Sequence, residues 1–390
     1  MVTAASAQVD RQSSASALER EITRLLGGAL NEARLTRLGA GLKELHARFV
    51  SEQAHEASGD WYLESPAHLA AYLSYFFPAS EAQVRRALAE VPPPASPRWR
   101  VLDIGSGPGP AAFAVAAWAA SAVARVEVTA LEASAAALET MKRLWEPAAG
   151  GLTTRVWTAG AALPEGPFDV VVLSHALNEL FVGDPHRLDK RHKLMTELAA
   201  RIGPGGYLVL VEPALKRTGR EMLVVRDRLL NAGMIARAPC LFQGACPAIA
   251  RPRDWCHADR PWVPPPLVEH SAAAAGLSRE SLKYAYVILS PASPAIERPR
   301  DSSLFRIVSE PLPENGKLRF FGCGPIGRHA LTRLEKDRAP HNEAFDALER
   351  GDLVRIDGLT ATGDGRRLGP ASTVEVTLSA ATLDGDRSAR

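Results

Sequence analysis

Residues Arg100 to Pro110 read RVLDIGSGPGP. A short apolar run carries Asp103 near its end and then meets three alternating glycines, Gly105, Gly107 and Gly109. Pro110 follows, a residue suited to the first turn of a helix. A chain that leaves a strand, turns sharply and enters a helix needs positions without Cβ, and a ligand can then approach the main chain closely. In open α/β sheets that place, the carboxyl edge of a strand, is where ligands bind. The pattern Asp-x-Gly-x-Gly-x-Gly departs from the G-x-G-x-x-G of nicotinamide and flavin enzymes.

Outward from this loop, short apolar runs alternate with helical spacing, which predicts a parallel sheet with crossover helices. Strands are expected at 100–105, 125–132, 154–159, 168–175, 206–213 and 284–291, with helices at 110–122, 133–145, 189–201 and 220–233. The fold expected is α/β, Rossmann-like, with N-terminal helices, a cysteine-rich lobe and a small C-terminal β unit. In order along the chain these are a disordered segment at 1–15, a helical region at 16–92, the main domain at 98–291 with the lobe at 238–262, an antiparallel β unit at 302–362 and a flexible tail at 363–390. The proline-rich VPPPASPRW (91–99) and PASPAIERPRD (291–301) read as linkers.

Two further strand ends carry chemistry. Glu132 closes the second strand, and a carboxylate there can accept from two vicinal donors. The fourth strand runs into SHALNELF, Ser174 to Phe181, where His175 is a candidate proton acceptor and Asn178 a candidate for orienting an amine. Helix capping and loop structure explain those two residues equally well.

The four cysteines are Cys240, Cys246, Cys256 and Cys323, spaced C-x5-C-x9-C-x66-C. Pro239, Pro247 and Pro252 break the segment holding the first three, and so long an excursion needs something to hold it. A C-x2-C knuckle is missing, so the spacing carries no zinc-finger signature. Disulfides are disfavoured in a chain of this size without a secretory signal. Metal ligation and isolated buried thiols both stay open, and spacing does not choose iron over zinc.

With 46% hydrophobic and 23% charged residues, the chain has the composition of an ordinary globular protein. It contains no apolar run of about eighteen residues, so no membrane span is expected, and the cytoplasm is the expected compartment. The net charge of +2 excludes nothing, but nine Lys/Arg stand against four Asp/Glu between Pro213 and Trp262. RLDKRHK, Arg187 to Lys193, is a second basic run. Such local excess fits either phosphate-backbone binding or a solvated face.

The loop closing the first strand resembles motif I of class I S-adenosylmethionine-dependent methyltransferases. The resemblance implies a cofactor site at Asp103, Gly105, Gly107, Gly109 and Glu132, with Glu132 on the ribose hydroxyls and the methyl acceptor at the Ser174–Phe181 strand end. No cysteine stands at that strand end, and it lacks the Asn/Asp-Pro-Pro-Tyr pattern of amine methylation. Over residues 65–360 the chain resembles the ribosomal small-subunit methyltransferase-like assembly factors, in YLSYFFP, VLDIGSGPGP, SHALNEL, LVLVEP, the cysteine block and RIVSEP…LRFFGCGP…LERGDLVRIDG. That resemblance implies a [4Fe–4S] cluster on Cys240, Cys246, Cys256 and Cys323, and ribosomal RNA of the small subunit as partner of a monomer. Leu241-Phe242 stand where the family commonly has Pro-His, and His257 is an alternative ligand. Two other functions remain: an assembly factor that keeps the cofactor fold without catalysis, and a small-molecule methyltransferase with a zinc lobe.

Overall fold

The computed structural model describes residues 16–50, 62–293, 300–363 and 365–380. The segment 1–15 and the last ten residues of the expected tail lie outside the described residues.

Strand β1 (Arg98–Ile104) is buried on both faces from Val101 onward, as a central parallel strand must be. It pairs in parallel with β2 (Arg125–Glu132) on one side and β4 (Phe168–Ser174) on the other. Strand β3 (Gly150–Val156) adds beyond β2, and β5 (Ile202–Pro213) beyond β4, both parallel. The long β8 (Ser281–Pro291) then runs antiparallel to β5 and to β6 (Met234–Ala238), giving the order β3-β2-β1-β4-β5-β8-β6. A short β7 (Ala258–Pro261), just after Cys256, pairs with the start of β8. The order reverses at β1, so the carboxyl ends of β1, β2 and β4 open on one crevice.

Helix α1 (Glu32–Val50) precedes a long helical run at 66–88. That run begins at α2 (Pro66–Ala71), capped by Ser65, widens into a π turn at Tyr72–Phe76 and continues as α3 (Phe77–Leu88). Pro78 has no N–H to offer the Ser74 carbonyl, which explains the widened turn ahead of it. Helix α4 (Pro110–Ser121) starts straight after the glycine loop with Gly109 as its cap, and its nearly all-apolar sequence is buried beside β1. Helix α5 (Ala135–Leu144) begins at Ser134, whose hydroxyl accepts from the Ala137 N–H at 3.1 Å. Helices α6 (Arg187–Ala199), α7 (Lys216–Asn231) and α8 (Pro266–Ala274) complete the layers around the sheet.

The second sheet differs from the antiparallel unit expected. Its order is β10-β11-β12-β14-β13-β9, and β9 (Leu304–Ile307) also pairs with β11 (Lys317–Gly324), which closes a barrel. Strand β10 (Leu312–Glu314) is a side pairing on β11. Strand β12 (Gly327–Leu334) is parallel to β14 (Gly365–Leu378), and β13 (Leu353–Thr362) is antiparallel to it. The expected tail therefore begins with the longest strand of this unit. Phe305, Ile307, Phe320, Leu331, Phe345, Val354 and Leu368 fill its interior.

Candidate cofactor cleft and cysteine lobe

The glycine loop is held by β2. The Gly105 and Ser106 N–H groups both donate to the Leu131 carbonyl, at 2.7 and 3.1 Å. Glu132 accepts from the Gly107 N–H at 2.9 Å with one oxygen and from the Ala133 and Ser134 N–H groups with the other. Burial raises its pKa, and those three donors oppose the rise. Gly105, Gly107 and Gly109 all have positive φ, at 64°, 53° and 100°. At Gly105 a Cβ would lie 2.6 Å from that of Ala176, so the loop touches the segment after β4.

Asp103 lies beneath this loop with 0% exposure, and neither carboxylate oxygen has a hydrogen-bond partner. Burial pushes its pKa up to about 7; the Ala112 N–H, outside hydrogen-bond geometry, offsets part of this and Glu132 adds to it. A buried acceptor without a donor is costly, and a cationic ligand group would satisfy it.

Residues distant in sequence roof the crevice. The turn Tyr62–Glu64 brings Leu63 to within 3.7 Å of where a Gly107 Cβ would stand, and the π turn brings the Tyr72 hydroxyl to 3.9 Å. Tyr62 donates to Glu179 at 3.3 Å, and Glu64 accepts from Ala136 at 3.4 Å. Burial, with Glu132 nearby, raises Glu179 to about 7.

His175 and Asn178 fall at the same mouth, but each is already engaged. His175 has φ 56°, its Nε2 meets Gln83 Oε1 at 2.7 Å, and burial with Arg279 nearby drives its pKa down to about 4. It is therefore neutral at physiological pH. The Asn178 N–H donates to Glu212, its carbonyl accepts from Arg191, and its side-chain Oδ1 is buried with no partner. Of the groups at this mouth, sequence reasoning missed Tyr62, Tyr72, Glu179 and Glu212. Tyr72, Glu179 and Glu212 carried a signal, standing in YLSYFFP, SHALNEL and LVLVEP.

Cys240, Cys246 and Cys256 lie in the excursion between β6 and β7, and Cys323 on β11. Burial pushes the Cys246 thiol up to about 11 and the Cys256 thiol up to about 12, and Cys240 raises both further. Cys323 is raised by burial and then by all three of the others. The four thiols are thus electrostatic neighbours. Among the described residues, no group of three or more His, Cys, Asp or Glu side chains is arranged to hold a metal ion.

Part of the basic excess has internal work. The buried Arg226 pairs with Asp227 and donates to the carbonyls of Phe242 and Gly244, bracing the loop between Cys240 and Cys246. Arg220 collects the carbonyls of Ala248, Ile249, Arg251 and Asp254. Buried Arg260 donates to the Arg350 carbonyl, and Arg228 pairs with Asp189. In the second run, Arg187 and Arg191 both pair with Glu221, and Lys190 pairs with Asp184. Arg251 and Arg253 remain on the surface.

Strand order and glycine loop define a protein with the Rossmann-like sheet of class I methyltransferases. Solved structures with a similar fold include a protein from Listeria monocytogenes described as a class I S-adenosylmethionine-dependent methyltransferase, at 12% identity, 74% of this chain, 91% of that one and TM-score 0.39. The plantazolicin methyltransferase in complex with SAH matches at 10% identity, over 65% and 99% of the two chains, with TM-score 0.35. The ribosomal protein L11 methylase from Lactobacillus delbrueckii subsp. bulgaricus matches at 13% identity, over 55% and 78%, with TM-score 0.30. Among curated proteins none matches the chain. Residues 66–347 match the family described as mitochondrial small ribosomal subunit Rsm22, and the chain belongs to that family. No helix among the described residues is long and apolar enough to cross a membrane.

Proposed function

We propose that the protein is an S-adenosylmethionine-dependent methyltransferase acting, as a cytoplasmic monomer, on RNA of the small ribosomal subunit. The observation that carries the cofactor assignment is the unpaired, buried carboxylate of Asp103 beneath three positive-φ glycines. Asp103 would take the ammonium of the cofactor, the glycines would admit it to the backbone, and the one remaining acceptor site of Glu132 would receive a ribose hydroxyl. When bound, the cofactor supplies an electrophilic methyl group on a sulfonium. Around it this chain provides a cleft roofed by Tyr62, Leu63 and Tyr72. Asn178 Oδ1, buried and unpaired, would orient an acceptor amine, and neutral His175 would receive its proton.

The cysteine lobe is read as the seat of a [4Fe–4S] cluster on Cys240, Cys246, Cys256 and Cys323. Four half-buried thiols that neighbour one another, with the Arg226 guanidinium close by, support it. Held this way, the cluster would act through ligation, fastening the excursion to β11. A second reading, an assembly factor without catalysis, draws on the engaged state of His175 and the roof over the cleft.

Calorimetric titration with S-adenosylmethionine tests the cleft. A cationic ligand group binds the ionised Asp103, so below pH 7 a proton must first leave. Affinity should therefore fall about tenfold per pH unit below 7. In Asp103→Asn it should be weak and independent of pH. No binding by the wild type, or equal affinity in Asp103→Asn, would remove the cofactor site.

A further inference from the structure

The C-terminal barrel has a topology with consequences. In chain order its first, second, third, fifth and fourth strands are neighbours, β9-β11-β12-β14-β13, and β13 returns to β9. Its one parallel pair is β12 with β14, and a helical segment, Pro340–Ala347, joins the third strand to the fourth. Phe345 from that segment plugs the barrel against Phe320, ring centroids 5.1 Å apart. This is the five-stranded OB-type barrel, in which the face of the second and third strands binds oligonucleotides or oligosaccharides.

Fold alone assigns no function, but the side chains of that face are informative. On β11, Phe320, Gly322 and Gly324 are buried while Arg319, Phe321 and Cys323 alternate outward. Arg328 on β12 lies 4.5 Å over the Phe321 ring and also pairs with Asp254 of the cysteine lobe. The face thus continues onto the lobe, where Trp255 is 37% exposed and stacks on His257 at 5.3 Å and 18°. Exposed Arg251 and Arg253 stand four and two residues before Trp255.

We propose that the β11–β12 face and the Trp255 loop form one binding surface for single-stranded RNA, with bases stacked on Phe321 and Trp255 and phosphates held by Arg251 and Arg253. It rests on the ribosomal-RNA reading above and gives it a place. Single rings set among guanidinium groups suit splayed bases and a phosphate chain. A protein partner would instead call for a contiguous apolar centre depleted of charge.

The test uses the full chain and two probes, a labelled unstructured RNA oligonucleotide and a duplex of equal length. The single strand should bind more tightly, and Trp255→Ala and Phe321→Ala should each weaken it about five- to a hundredfold. Trp255→Phe and Phe321→Tyr should restore most of the loss, and neither alanine change should alter the salt dependence. Arg251→Glu with Arg253→Glu, both on the surface, should flatten the salt slope by about two counterions. Wild-type protein that binds neither probe overturns the RNA reading and this surface together. Single-strand binding unchanged in both alanine variants overturns the surface alone. So does weakened attachment to assembled small subunits with oligonucleotide affinity intact, which would mark a protein contact.

Discussion

Glu212 is as deeply buried as Asp103, yet each of its oxygens has a partner. Its two oxygens accept from the Leu177 N–H at 2.9 Å and the Asn178 N–H at 3.2 Å, fixing the segment after β4 from below. Burial nevertheless pushes its pKa up to about 8, with Arg191 and the two backbone donors opposing. The folded state then holds this proton more tightly than the unfolded chain, whose glutamate titrates near the ordinary value. Stability must fall as pH rises from about 4.5 to about 8. Glu212→Gln should lose about 1 kcal/mol at pH 5 through one weakened hydrogen bond, while its melting temperature should decline less between pH 5 and 8. A parallel decline in both proteins would show that Glu212 does not titrate there. Asp103, Gly105, Gly107, Gly109 and Glu132 could be found in the sequence because the whole loop is local and each residue type has one physical use. Tyr62 could not: it meets Glu179 across 117 residues, a pairing set by the packing of the N-terminal helices on the sheet.

Strand β14 shows where composition misleads. Its first half, GRRLGPAS, carries glycines and a proline that read as loop, and only Leu368 and Ser372 are buried between Arg366 and Ser372. The strand exists because β12 and β13 each present it an edge, pairing at Ala330–Arg333 and Leu353–Thr362. Tertiary pairing outweighs a weak intrinsic preference. A chain ending after residue 363 should therefore open the barrel, exposing Phe305, Phe320 and Leu331 to dye binding and proteolysis. One ending after residue 380, which keeps the whole of β14, should keep the barrel closed. Equal stability of the two truncations would mean that β14 is not part of the barrel. The parallel sheet posed no such difficulty, since β1, β2, β4 and β5 are dense apolar runs between turn signals. β3 came out shifted, spanning Gly150–Val156 in place of 154–159, because its polar, half-exposed sequence carries little pattern.

Among the described residues, the barrel is joined to the main domain through Arg260, which donates to the Arg350 carbonyl, and at two further junctions. Arg306 on β9 and Glu90, just after α3, form a pair with side chains 7% and 2% exposed, and Tyr286 on β8 donates to the same carboxylate. A buried pair of this kind is strongly destabilising to break from one side. The second junction is the cysteine lobe, where Cys323 from β11 approaches Cys240, Cys246 and Cys256 and where Arg328 pairs with Asp254. Spacing alone carries no geometry for these four cysteines, because sixty-six residues separate Cys256 from Cys323 and the closed barrel is what returns the chain to the lobe. Substituting Cys323 should leave the barrel folded and held through Glu90 and Arg306, so iron content reports on the cluster without loss of the fold. The measurement to make is the iron content and visible spectrum of anaerobically purified wild type and Cys323→Ser. Wild type should carry about four irons and a broad band near roughly 400 nm, and Cys323→Ser should lose both. Iron-free, colourless wild type, or unchanged iron in Cys323→Ser, would contradict a cluster that joins the barrel to the methyltransferase-type domain.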